Sequence, residues 1–179
     1  MTDRADLLAA SRRELARLPA LLDALVGDVD DATARTRPAP NEWAPIEILC
    51  HLRDEETEDF RARLRAVLEG RTELPPIDPV GWVESRRYRD ADVAGALAAI
   101  ATARQESLDF LAGVDAGRLD AVIVHRTAGP LSAMDFLAAW VAHDHLHVAQ
   151  LAATRARLWT NRWPSLKVEY AGPIPYPAA

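Results

Sequence analysis

Four stretches of this chain repeat apolar residues with the 3.6-residue period of a helix, and no run of alternating β-branched residues competes with them. That pattern predicts an all-α fold. The first stretch covers about 3–26, with Leu7, Leu8, Leu15, Leu18, Leu22 and Leu25 forming the stripe. Pro19 lies inside it and predicts a kink or a break, because proline has no N–H for the helical ladder. The second stretch, about 45–69, opens on Pro45, where a missing N–H costs nothing, and ends before Gly70. The third covers about 91–112 and stops at Gly113; the fourth, about 132–158, carries Ser132 as N-cap with Asp135 three residues on.

Between these stretches the chain reads as irregular. "GDVDDATARTRPAPNEW" is a loop, and "RTELPPIDPVGWVESRRYRD" is a long crossover broken by prolines and a glycine. The last segment, 159–179, has too many prolines for a helix and too many aromatics for an ordinary disordered tail. It is expected to pack along the helices or across to a partner.

With 179 residues, 49% of them hydrophobic, and no composition break, one domain over 1–179 is the default. A formal charge of -6 argues against nucleic acid or an anionic membrane as partner, since both reward a concentrated basic surface. A small-molecule partner fits better. The opening "MTDRADLLAASRRELARL" mixes charges into its periodicity, unlike a signal peptide or a membrane span, so a cytoplasmic protein is expected. Cys50 is the sole cysteine, which leaves any metal site to nitrogen and oxygen ligands.

"HDHLHVAQL" holds three of the five histidines. His143 and His147 sit about 40° apart on one helix face with Phe136, Trp140, Gln150 and Thr154, while His145 points nearly the other way. An i, i+4 pair can give two imidazoles to one ion, and a third could come from His51 on the second helix. Read singly, His51 is more often a packed core or boundary histidine, and an i, i+4 pair often arises by chance on a helix. Cys50 points about 100° from His51 and reads as a small packed hydrophobe. His145 reads as a surface or dimer-facing residue, and His125 lies in a loop without an identifiable partner.

Taken together, "NEWAPIEILCHL" and "HDHLHVAQL" resemble the DinB/YfiT-like superfamily of metal-binding four-helix bundles. The marks are Trp43 and Pro45 at the opening of the second helix, a histidine six residues after that proline, and HxxxHxxQ on the last helix. The resemblance covers essentially the whole chain. It implies an antiparallel four-helix bundle with a long crossover between helices 2 and 3, and one divalent metal held by His51, His143 and His147. Zinc or nickel come first as the ion, with manganese or iron as alternatives, since all accept imidazole. Characterised relatives include metal-dependent transferases that act on low-molecular-weight thiols and a thiol-dependent isomerase, and others carry a hydrolase label. A metal-dependent thiol S-transferase or hydrolase, and a homodimer, are what the resemblance implies. Ala44 departs from the serine or threonine often found before the proline, which removes a side-chain cap, although Glu47 can reach the helix start.

Around such a triad, Gln150, one turn after His147, can hydrogen-bond a ligand histidine or a water. Glu55, one turn after His51, is the candidate general base, or else an exposed glutamate. Trp140 reads more as core than as substrate contact. Arg104 shares a face with Leu97, Ile100, Leu108 and Leu111, so its guanidinium needs a carboxylate partner or an anionic ligand, unless only its stem lies on apolar surface. The rival to an enzyme is a non-enzymatic bundle that uses the same residues for structure, metal sensing or dimerisation.

Overall fold

The computed structural model describes residues 3–74 and 76–174. Its first rod is two helices, α1 (Arg4–Leu15) and α2 (Leu18–Val26), followed by a single turn, α3 (Asp31–Ala34). Asp3 caps α1 by accepting from the Ala5 and Asp6 N–H groups, which would otherwise be orphans. The break between α1 and α2 is where Pro19 demands it. Residue 19 cannot donate to the Leu15 carbonyl, and that oxygen accepts instead from Arg104 Nη1 at 2.8 Å.

The second rod is α4 (Pro45–Glu55), a π-helical turn (Glu56–Phe60) and α5 (Arg61–Leu68). Ala44 offers no side-chain cap, and Glu47 compensates by accepting the Ala44 N–H at 2.8 Å. Arg37 holds the buried Glu47 carboxylate with two hydrogen bonds of 2.8 and 2.5 Å. Gly70, at φ 72, closes the rod in the left-handed conformation, and the Arg71 N–H reaches back to the Ala66 carbonyl at 2.9 Å.

The crossover contains more regular structure than its prolines suggest. It holds α6 (Pro79–Ser85), capped by Asp78, and a 3-10 turn (Tyr88–Asp90). Tyr88 donates its hydroxyl to Asp54 at 2.8 Å and Arg86 reaches the same carboxylate at 2.7 Å, which pins the crossover to the second rod. The third rod, α7 (Val93–Ala112), has Asp92 as N-cap and Gly113 at its end.

Before the fourth rod a β-hairpin appears, β1 (Val122–His125) paired antiparallel with β2 (Gly129–Ser132). The absence of strands expected from the sequence is thus corrected, because four-residue strands are too short to show a period. Its one buried strand residue, Ile123, joins the core, and Val122 and Val124 face out. The fourth rod, α8 (Ala133–Arg162), starts on the expected Ser132–Asp135 box. It runs past the expected end, and Trp159, Trp163, Leu166 and Tyr170 are exposed. Within the segment expected to be irregular, Asn161 donates to the Pro38 carbonyl at 2.9 Å while Trp159, Trp163, Leu166 and Tyr170 face out; residues 175–179 lie outside the described residues.

Four helical rods thus make the bundle, with the hairpin as a minor addition. Its core falls in two apolar halves. One half gathers Leu22, Ile46, Leu49, Ile100 and Leu151, and the other Leu15, Leu64, Leu111, Leu137 and Trp140. Each of rods two to four carries buried polar residues between its contributions to the two halves: His51, Glu55 and Glu56, then Arg104 and Ser107, then Asp144, His147 and Gln150. A polar layer crosses the middle of the bundle. Among the described residues, no helix is long and apolar enough to cross a membrane.

Candidate metal centre

His51 on α4 and His143 and His147 on α8 meet in that layer. His147 Nε2 lies 3.1 Å from His51 Nε2 and 3.0 Å from His143 Nε2. One potential ligand atom from each residue falls within 4.8 Å of the others. The i, i+4 spacing of His143 and His147 supplies two of these atoms from adjacent turns, and α4 packs against α8 to supply the third.

The protons of this cluster decide what can sit in it. His147 Nδ1 donates to Gln150 Oε1 at 2.6 Å, so its Nε2 carries the lone pair. That nitrogen has one lone pair and two imidazole nitrogens at hydrogen-bonding distance. A proton can bridge only one of those contacts, whereas a cation can take lone pairs from all three. Burial, then the nearby His143, pushes His51 and His147 down to about 3, so both are neutral and able to ligate at pH 7. The donor set therefore fits a divalent ion that accepts imidazole.

Glu55 is buried, not exposed, and belongs to the same cluster. Its Oε2 lies 2.7 Å from His143 Nε2 and 3.6 Å from His51 Nε2. Aromatic rings wall the site: Trp43 stands 4.8 Å from His51 and is nearly parallel to His147, and Phe60 stands 4.8 Å from His143, all between ring centroids. Trp43 and Phe60 were legible only as a helix-start marker and a core residue. Phe60 closes the π-helical turn, a distortion that recurs at functional sites, whereas Trp43 lies just before α4.

Behind the histidines lies a second buried cluster. Arg104 donates from Nη1 to Asp144 at 2.6 Å and from Nη2 to Glu56 at 2.7 Å, supplying the carboxylate partners that its place on an apolar face required. Trp140 is core, as its face suggested, and donates from Nε1 to Glu56 at 3.2 Å. Arg104 and Trp140 touch no histidine of the triad by hydrogen bond, and Gln150 does. His145 is exposed beside Glu14, and His125 closes the hairpin against Arg63, a partner that the sequence did not reveal. Cys50 is fully buried, and burial raises its thiol to about 11.

A family profile described as the DinB superfamily matches residues 14–151. The chain belongs to the DinB superfamily. The match covers the second and third rods whole, α2 of the first rod, α8 up to Leu151 and all three histidines. The fold agrees with a solved DinB-like structure, YfiT from Bacillus subtilis, described as "a probable metal-dependent hydrolase with an unusual four-helix bundle topology". The identity is 21%, the alignment covers 85% of this chain and 87% of that chain, and the TM-score is 0.77. No curated protein sequence matches this chain.

Proposed function

We propose that this DinB protein is a metal-dependent enzyme that activates a small nucleophile, water or a low-molecular-weight thiol, for a hydrolase or thiol S-transferase reaction. The observation that carries this reading is the convergence of three Nε2 atoms beside a buried carboxylate. His51, His143 and His147 are the ligands and zinc or nickel the first candidate ions, with the description of YfiT in support.

When bound, a divalent ion supplies Lewis acidity that lowers the pKa of a nucleophile at neutral pH. The chain's own residues do the rest. Gln150 fixes the tautomer and the ring plane of His147 through its 2.6 Å bond. Glu55 Oε2, against the His143 and His51 nitrogens, is placed to take the nucleophile's proton and return it to a leaving group. Trp43 and Phe60 exclude water from two sides, which strengthens the electrostatics between Glu55 and its surroundings.

One observation favours a second reading. Glu55 is close enough to the imidazole nitrogens to serve as a fourth ligand, which would close the site and make it structural. Glu55→Gln separates the two. Retention of one equivalent of metal, with loss of turnover in a screen of thiol-transfer and ester or amide hydrolysis substrates, supports the enzyme. Loss of the metal supports the closed site.

A further inference from the structure

A cavity of about 160 Å³ lies between the second rod, the hairpin and α8. Phe60, Leu131, Phe136 and Ala139 line its apolar part. Two of these residues tie it to the metal centre. The Phe60 ring also packs 4.8 Å from His143, the histidine of the triad whose side chain is 18% exposed while His51 and His147 are buried. Ala139 is exposed one turn before His143 on α8, so a body in the cavity lies along the helix face that carries this histidine.

The π-helical turn produces this alignment. In an uninterrupted α-helix, at about 100° per residue, Phe60 would stand about 140° round from Glu55 and face away from it. Within the turn the Arg61 N–H reaches back to the Glu56 carbonyl, the wider π-helical bond. Phe60 then meets His143 alongside Glu55, whose Oε2 is 2.7 Å from the same imidazole.

The charged groups around the cavity are engaged with their neighbours. Asp59 pairs with Arg63, Arg63 also lies 3.3 Å from His125, and Asp135 accepts from the Ser132 N–H at 2.7 Å. An ionised ligand would have to displace one of these contacts or stay unpaired, a cost that a neutral apolar group does not meet. The volume suits such a group, since an apolar cavity of about 150 Å³ holds one benzene molecule.

We propose that the cavity receives an uncharged apolar group of the substrate, an aromatic ring or branched alkyl chain of about six carbon atoms, and presents the adjoining bond to Glu55 and the metal centre beside His143. The placement of the reacting bond rests on the metal-dependent reading above; the selectivity of the cavity does not.

Proton NMR titration of the purified protein with benzyl alcohol measures that selectivity, with benzylammonium and benzenesulfonate, a poor metal ligand, as ionised probes. Benzyl alcohol is expected to bind about fivefold or more tightly than either ion. Ala139→Phe fills the cavity and is expected to weaken benzyl alcohol by about tenfold or more. Ala138→Phe, at the neighbouring exposed position outside the cavity, leaves binding unchanged and shows that α8 accepts a phenylalanine there. Benzyl alcohol that does not bind, that binds no more tightly than an ion, or that binds Ala139→Phe as well as the parent overturns the proposal. Loading with manganese tests the placement: protons of bound benzyl alcohol should relax faster in the loaded parent than in His147→Ala exposed to the same ion. Unchanged relaxation in a parent that holds manganese overturns the placement. A parent that takes up no ion, yet binds benzyl alcohol with the expected selectivity and Ala139 dependence, would sink the metal-centre reading alone.

Discussion

Two buried polar clusters are built from neighbouring residues of the same helices, and they are finished to different degrees. Glu55 and His143 belong to the imidazole cluster, and the next residue in each case, Glu56 and Asp144, belongs to the cluster around Arg104. The Arg104 cluster brings opposite charges together: one guanidinium meets two carboxylates and the Leu15 carbonyl that Pro19 leaves unpaired. The imidazole cluster instead directs three nitrogens at one place, where a proton can bridge only one of the two contacts of His147. The first is a structural clasp that joins all four rods. The second has the geometry that could hold a cation.

The difference can be tested by breaking each cluster in turn. Arg104→Ala leaves Glu56 and Asp144 buried without their cation and should cost about 3–5 kcal/mol of stability, the usual penalty for removing one partner of a buried pair. Urea unfolding monitored by circular dichroism measures it; a loss below about 1 kcal/mol, the value of an exposed pair, would contradict the clasp. His51→Ala should do the reverse, leaving a folded helical protein that no longer retains metal through dialysis. Gln150→Ala keeps all three ligands and loses only the partner of His147 Nδ1, so metal affinity should fall by roughly 10–100-fold. Competition with a chelator of known affinity would read that loss, and an unchanged affinity would remove Gln150 from the site.

A smaller effect sharpens the boundary between the clusters and solvent. Burial pushes the Asp59 carboxyl up from 3.8 to about 6. Between those values the native state keeps a proton that the unfolded chain has lost, so stability from this group is present below pH 4 and declines as pH rises to about 6. Asp59→Asn does not titrate. Its stability relative to the parent should therefore rise across that window, and a pH-independent difference in melting temperature would contradict the assignment.

Much of this was legible because it rests on local rules. Pro45, Ser132 with Asp135, and Gly113 mark helix boundaries by capping chemistry that needs no partner, and Pro19 marks the break in the first rod. The triad could be seen because His143 and His147 share a face by spacing and His51 completes a family pattern. The π-helical turn over Glu56–Phe60 is not legible in the sequence, since an α-helical wheel places Glu58 within about 20° of His51, whereas Glu58 is exposed and pairs with Arg86. Nor was the pairing of Arg63 with His125, which joins a helix to a hairpin 62 residues away. The hairpin itself was hidden by its four-residue strands, and the outward turn of Trp159 and Trp163 depends on the fourth rod continuing to Arg162.

The most direct test of the central claim is elemental analysis of the purified protein beside His147→Ala, after exposure of both to zinc, nickel and manganese, with circular dichroism to show that both are folded. The account predicts about one equivalent of a divalent ion in the parent and none in the variant. A folded parent that takes up no ion, or a variant that retains a full equivalent, would contradict it.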